Sequence, residues 1–338
     1  MTVIFSDGFD HYTTLTLKWT SGTSAIGAAS ARSGSSGLAQ SSAESLKQVQ
    51  PSQEHATFTL GLVARRTAAT GTLEMRFYSD SGVTRHITVQ ATANGEIKAF
   101  RGAVSTGTQL GATTASNLVP LSVFVYVEAK VVLSDTVGTV TVWVNDAQVF
   151  SYTGDTKNAG TKTVLDAIGL ASNGTFLICD IDDLYLTNGA GSVNNDRLGD
   201  IKIETLFPSG AGSTTGLTPS SSVANYTTVD DVAPNTTDYN SSVTDGAYDT
   251  YALSDLVTVA GTIFGVVVHA YAAKSDAGVK GGAIVVRSGG ADYEKTDNPL
   301  GTGYQYYREI IEVDPATSSA WTVAAVNSLE AGFKVKAG

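Results

Sequence analysis

The chain has 338 residues, a length that suits two domains of roughly 150 residues each. Hydrophobic residues make up 42% and charged residues only 16%, a composition that builds a core and excludes a disordered chain. A formal net charge of −11 excludes a general nucleic-acid-binding surface, which needs clustered cations to displace counterions from phosphate.

The opening stretch, MTVIFSDGFDHYTTL, lacks the basic start and apolar core of a secretion signal. No run approaches the ~20 apolar residues of a membrane span. The expectation is a protein made in a cytoplasm that stays out of membranes. From Phe5 to Thr187 short strands alternate with turns. Expected strands are 55–65, 71–78, 85–91, 96–101, 123–133, 139–144, 148–152, 164–170 and 176–186, with turns at SDSG (79–82), ANG (93–95) and VND (144–146). Many short antiparallel strands and no helical period predict an all-β sandwich or jelly roll. The single cysteine, Cys179, rules out an intrachain disulfide and reads as a small buried hydrophobe.

Residues 188–200, NGAGSVNNDRLGD, form a Gly/Asn-rich joint. The expected division is a first domain over 1–190, a linker over 191–200 and a β-rich second domain over 201–338. The second domain should open with a strand, IKIETLF (201–207), followed by a long polar stretch to Thr250 that wraps a surface or touches a neighbouring subunit. Strands are expected at 258–272, 282–287 and 304–313. SSAWTVAAVNSLEAGFKVK then predicts one short helix, capped by Ser318 or Ser319 and ended at Gly332, before a last strand FKVK. No repeat points to a solenoid.

The stretch YVEAKVVLSDTVGTVTVWVNDAQVFSYTG (126–154) carries the clearest face logic. Alternation sends Val127, Ala129 and Val131 to one side with Val140, Val142 and Val144. The opposite face gathers Tyr126, Glu128, Lys130, Thr141 and Trp143. An aromatic beside polar groups is one way to hold a sugar, so Trp143, Tyr126, Glu128 and Lys130 are candidate ligand-binding residues. The other reading is that a crossing loop, or the edge of the second sheet, covers this Trp. A second cluster is CDIDD, where alternation pairs Asp180 with Asp182 and sets Asp183 on the other face. Such carboxylates serve glycoside hydrolysis, bind structural Ca²⁺, or cap backbone donors. No HExxH or His/Cys zinc spacing, nucleophile elbow or Walker loop accompanies them, so a catalytic site is not expected. GGADYEKTDNPLGTGYQYY (289–307) concentrates tyrosines near charges, which suits either a contact surface or a packed strand edge.

Glu128-x-Lys130-x-Val132, a turn, then Gly138-Thr139-Val140-x-Val142-x-Val144-Asn145 resembles the laminin-G and concanavalin A-like jelly rolls, with Asp146 where that family usually has Gly. The DGFDHY opening (7–12) and the DIDDLYLTN close (180–188) resemble the first and last strands of such domains in bacteriophage structural proteins. GDIKIETLFPSGAG (199–212), DGAYDTYALSDL (245–256) and DPATSSAWTVAAVNSLEAGFKV (314–335) resemble segments that follow it in virion proteins. The resemblance implies a tail or capsid-surface component, a decoration or fibre protein, resident in the virion. It would be non-enzymatic, assembling as a symmetric homo-oligomer with other virion proteins. The alternative it leaves is a carbohydrate-binding module for host attachment; a polysaccharide depolymerase is a third reading, and concanavalin A-like hydrolases usually carry an ExDxE-type arrangement that is absent here.

Overall fold

The hairpin over 138–154 folds as its sequence dictates. Asn145 and Asp146 take φ of 47° and 66°, the two left-handed positions of a type I′ turn. A computed structural model describes residues 2–22, 24–40, 45–50, 52–172 and 179–338. The chain divides into two compact units, Met1–Ile203 and Glu204–Gly338.

In chain order the first unit contains β1 (Val3–Asp7), β2 (Ala25–Gly27), β3 (Gly37–Gln40), β4 (Ser45–Val49), β5 (Thr57–Arg66), β6 (Leu73–Ser79) and β7 (Thr84–Ala91). It continues with β8 (Ile97–Arg101), β9 (Thr108–Leu110), β10 (Phe124–Val132), β11 (Gly138–Val144), β12 (Ala147–Gly154), β13 (Ala167–Ala171) and β14 (Cys179–Asn188). They form an eight-stranded sheet in the order β12-β11-β10-β5-β14-β3-β2, with β1 on β14, and a six-stranded sheet β4-β13-β6-β7-β8-β9. This is the expected all-β sandwich.

The aliphatic alternation fixes the register. Val127 lies opposite Val144, Ala129 opposite Val142 and Val131 opposite Val140, and all six are buried. A one-residue slip would send this whole set to the other face, so the pairing is strongly specified. The expected strand over 176–186 is observed from Cys179; its first residues, 176–178, lie outside the described residues.

The second unit contains β15 (Pro208–Thr215), β16 (Thr218–Pro219), β17 (Asn240–Ser241), β18 (Tyr248–Leu253), β19 (Val266–Ala272), β20 (Lys280–Ser288), β21 (Ala291–Pro299), β22 (Gln305–Ile311), α1 (Val323–Asn327) and β23 (Glu330–Ala337). β15-β18-β23-β20-β21 make a five-stranded sheet, β19-β22 a two-stranded ribbon, and β16-β17 a short pair. The core is Ile284, Val286, Ile311, Trp321, Val326 and Leu329.

Several expectations are corrected here. The first unit runs through Ile203, past the expected boundary at 190, and takes in the expected linker 191–200. Residues 201–207 form no strand; within the first unit Arg32 and Asp183 engage the backbone of Ile201 and Ile203, and within the second Ser254 engages that of Phe207. The polar stretch 208–250 contributes β15 and β18 to the main sheet. The helix is capped by Thr322, whose side chain accepts from Ala325 N, and not by Ser318 or Ser319. Gly332 lies inside β23, where a Cβ would sit 1.8 Å from Asp249 O, so it is a packing glycine rather than a helix terminator. Among the described residues no helix is long and apolar enough to cross a membrane.

Candidate functional site

Pairing of β10 with β11 sets Glu128 opposite Trp143 and Lys130 opposite Thr141, so the four candidate ligand residues share one face as expected. That face is not open. Residues 196–203 cross it and engage each candidate group in turn. Asp196 accepts from Lys130 Nζ at 2.8 Å. Arg197 donates to Glu128 at 2.7 Å and to Asp146 at 2.8 Å, with its guanidinium carbon 5.3 Å from the Trp143 ring centroid. Leu198 N donates to the Tyr185 hydroxyl at 2.9 Å, and Gly199 N to Glu128 at 2.9 Å. Leu198 and Ile201 pack on the apolar patch of Val63, Tyr126 and Tyr185. The covering-loop reading of Trp143 is the one the geometry supports.

Glu128 is wholly buried. A buried carboxylate is tolerated only when paired and hydrogen-bonded. Its partners are Arg197, Gly199 N and the Tyr185 hydroxyl, which donates to it. Tyr185 reaches Glu128 because Gly61 of β5 lies beneath its ring; a Cβ on Gly61 would stand 2.2 Å from Tyr185 Cε1. Burial, then the Glu128 charge, pushes the Tyr185 hydroxyl well above its ordinary pKa. That proton therefore stays on the phenol.

The aspartates of CDIDD belong to the same construction. Asp180 accepts from Ser30 Oγ at 2.7 Å and from Arg65 Nε at 2.8 Å. Asp182 accepts from Arg32 N at 2.8 Å, Ser33 N at 3.1 Å and, through its other oxygen, Asp183 N at 2.8 Å. Asp183 accepts from Arg32 Nε at 2.7 Å, Ser33 Oγ at 2.8 Å and Ile203 N at 2.7 Å. Strict alternation had set Asp183 apart from Asp182. Instead Asp183 takes φ of 48° and the β14–β5 ladder breaks between Asp182 and Tyr185. This bulge turns both carboxylates onto the loop holding Arg32 and Ser33. Both oxygens of each aspartate are occupied by donors, an arrangement that caps a loop and offers no shared centre to a cation. Among the described residues no group of three or more His, Cys, Asp or Glu side chains is placed to hold a metal ion.

The two candidate clusters meet at Tyr126. Its hydroxyl donates to Asp183 O at 3.0 Å, and Arg32 stacks over its ring with 5.5 Å to the centroid. Arg32 also bonds Asp200 and the carbonyl of Ile201. The outer face of the eight-stranded sheet is thus one continuous lock that fastens 196–203. Sequence reasoning missed Arg32, Arg197, Tyr185 and Gly61. The only local signal was the charged pair Asp196-Arg197 inside an otherwise Gly/Asn-rich segment.

The DGFDHY opening is structural in the same way. Asp7 is buried and accepts from Trp19 Nε1 at 2.7 Å, Phe9 N at 3.0 Å and Lys18 Nζ at 3.1 Å. Burial alone would raise its pKa, but the Lys18 and His11 charges and the hydrogen bonds from the Tyr12 hydroxyl and Phe9 N hold it below the usual range. Cys179 is buried and free, and burial pushes its thiol up to about 12, so it is no nucleophile.

No family model matches the chain, and no curated protein matches it. Solved structures similar to it include a sialidase at 10% identity, where the match covers 45% of this chain and 15% of that one, with a TM-score of 0.34. Another is the carbohydrate-binding module CBM66 from Bacillus subtilis, at 9% identity, 50% and 94% coverage and a TM-score of 0.35. A third is the CBM2 module of the evolved Dit of Lactobacillus casei BL23 phage J-1, at 11% identity, 49% and 79% coverage and a TM-score of 0.33.

Proposed function

We propose that the chain is a non-enzymatic structural component of a bacteriophage particle, a tail or capsid-surface protein that works through contacts with copies of itself and with other virion proteins. The observation that carries this reading is the contrast between the units. In the first, the buried carboxylates of Glu128, Asp180, Asp182 and Asp183 are each matched by donors of the same unit. The second centres its core on a cluster of six buried apolar side chains, while every residue of β19, VVVHAYA, stays partly exposed. One face of β19 packs on the core, and a further chain covers the other, which carries Val267, His269 and Tyr271. The occupied carboxylates of the first unit support a structural role over a hydrolytic one. Light scattering on the full chain and mass spectrometry of purified particles test the reading. A strictly monomeric protein absent from particles would sink it.

The second reading is a carbohydrate-binding module. What favours it is not Trp143, whose ring lies against Arg197, but a tyrosine pair in the second unit: the partly exposed Tyr271 and the exposed Tyr304 stack with ring centroids 5.3 Å apart. A glycan array probed with the full chain tests this, and binding lost in Tyr304→Ala would support it over the first.

A further inference from the structure

The eight-stranded sheet of the first unit ends on β12. Alternate residues of an antiparallel edge strand turn their N–H and C=O groups away from the one neighbour they have. Among the described residues no hydrogen bond from outside the β11 ladder reaches the backbone of 147–154. The unit's other strand edges are short or closed. β2 and β9 have three residues each, and β1 is buried at all but Ser6. β4 is covered by Thr20 and Ser21, whose N–H groups donate to Lys47 O while Lys47 N donates to Ser21 O. Edges are ordinarily guarded by charge, proline or brevity. β12, AQVFSYTG, has eight residues, none charged and none proline. One bulge interrupts its pairing, between Val142 and Trp143 of β11, and leaves Phe150–Gly154 in regular register. Ser151 and Thr153 are exposed on the outer face, across from Thr141 and Thr139. Phe150 and Tyr152 turn to the core side with Val142 and Val140.

An unpaired edge takes an extended strand, and charge selects which one. With a net charge of −11, copies of the chain repel one another unless they meet where the charge is absent. β12 is such a place. The acids at its two ends are matched within the chain, Asp146 by Arg197 and Asp155 by Arg101. The edge holds no free charge to recruit a charged strand, and it is itself an uncharged one.

We propose that β12 pairs antiparallel with β12 of a second copy about a two-fold axis, joining the two eight-stranded sheets edge to edge. The axis keeps outer face with outer face, so Ser151 and Thr153 of one copy approach those of the other. On the core side Phe150 and Tyr152 extend one apolar row across the seam. No register of 147–154 sets like charges opposite one another. The proposal rests on the assembly reading above and adds a contact on the first unit, which that reading leaves unused.

Sedimentation and hydrogen exchange on the full chain test it. The wild type forms dimers, and the amides of 147–154 gain protection as the dimer forms. A chain carrying Ser151→Lys and Thr153→Lys associates about tenfold more weakly, since like charges then crowd the seam. Mixing it with a chain carrying Ser151→Glu and Thr153→Glu restores association. Both positions are exposed, and circular dichroism establishes that the variants fold. Should one not fold, exchange of the wild type across a dilution series decides alone. A wild type that associates with 147–154 unprotected, or a lysine variant that associates equally tightly, overturns the seam and leaves the assembly reading standing. A monomeric wild type found in purified particles overturns the second copy as occupant and also leaves that reading standing. A monomeric wild type absent from particles overturns both.

Discussion

The Tyr185 hydroxyl donates to the Glu128 carboxylate across β5, and the ring can lie there only because residue 61 is glycine. One missing side chain therefore decides whether a buried acid has a partner. Substituting Ala at Gly61 forces the ring away and costs about 2–4 kcal/mol of the first unit's stability, a strain and unpaired-acid effect combined. Trimming the ring in the same chain, with Tyr185→Leu, removes the clash. The double variant then loses less in urea unfolding than the sum of the singles. Additive losses would show that the contact is not what Gly61 is for.

Arg197→Ala leaves Glu128 buried with one cation fewer. Loss of one partner of a buried pair costs about 3–5 kcal/mol. Arg197 is a quarter exposed, so about 2–3 kcal/mol is expected here. The urea midpoint of the first unit reads this directly. Segment 196–203 should also become a preferred protease site, since its Leu198 and Gly199 bonds depend on the same anchor. A loss under about 0.5 kcal/mol, typical of a surface pair, would contradict the lock.

Two groups pull stability in opposite directions with pH. Burial and the Asp183 charge push Asp182 up to about 7. A carboxylate raised in the folded state contributes stability that is complete below about 4 and is lost as pH rises through 7. Burial and then Lys18 push His11 down to about 3. Its contribution is complete above about 6.5 and is lost as pH falls. Acidification from pH 8 to pH 5 is thus opposed by Asp182 and favoured by His11 as a route to unfolding. In Asp182→Asn the melting temperature should fall more steeply over that interval than in the wild type. An unchanged slope would remove Asp182 as a titrating group.

Calcium should do nothing to the first unit. A ligand stabilises by RT ln(1 + [L]/Kd), and the oxygens of Asp180, Asp182 and Asp183 already accept from donors fixed in the fold. Millimolar Ca²⁺ against EDTA is expected to leave the melting temperature within about 1 °C, the smallest shift such a linkage would make measurable. A larger rise would mean that the cation displaces Arg32 or Arg65.

What the sequence disclosed follows from how far apart the partners lie. The hairpin 138–154 was legible to within two residues at each strand end, because its alternation and its Asn-Asp turn are local. So was the sharing of one face by Tyr126, Glu128, Lys130 and Trp143. What covers that face was not legible, since Arg197 and Gly199 reach Glu128 from a segment with no hydrophobic period. β21, ADYEKTDNP, also escaped detection: it is held by cross-strand ion pairs, Glu294 with Lys334 and Arg287 with Asp292, rather than by an apolar stripe. The bulge at Asp183 defeats any argument from strict alternation.

The position of β14 also sets an order of events. It lies between β5 and β3 and pairs with β1, so strands from the start of the chain wait for residues 179–188 before their sheet can close. Closing so long a loop is slow, because its entropy is lost before the contacts form. During synthesis the early strands stand with open edges until residues 179–188 have left the ribosome. A fragment cut at 190 would finish that sheet and still leave Glu128 without Arg197. The shortest piece that can be expected to fold as the intact unit does ends at Ile203.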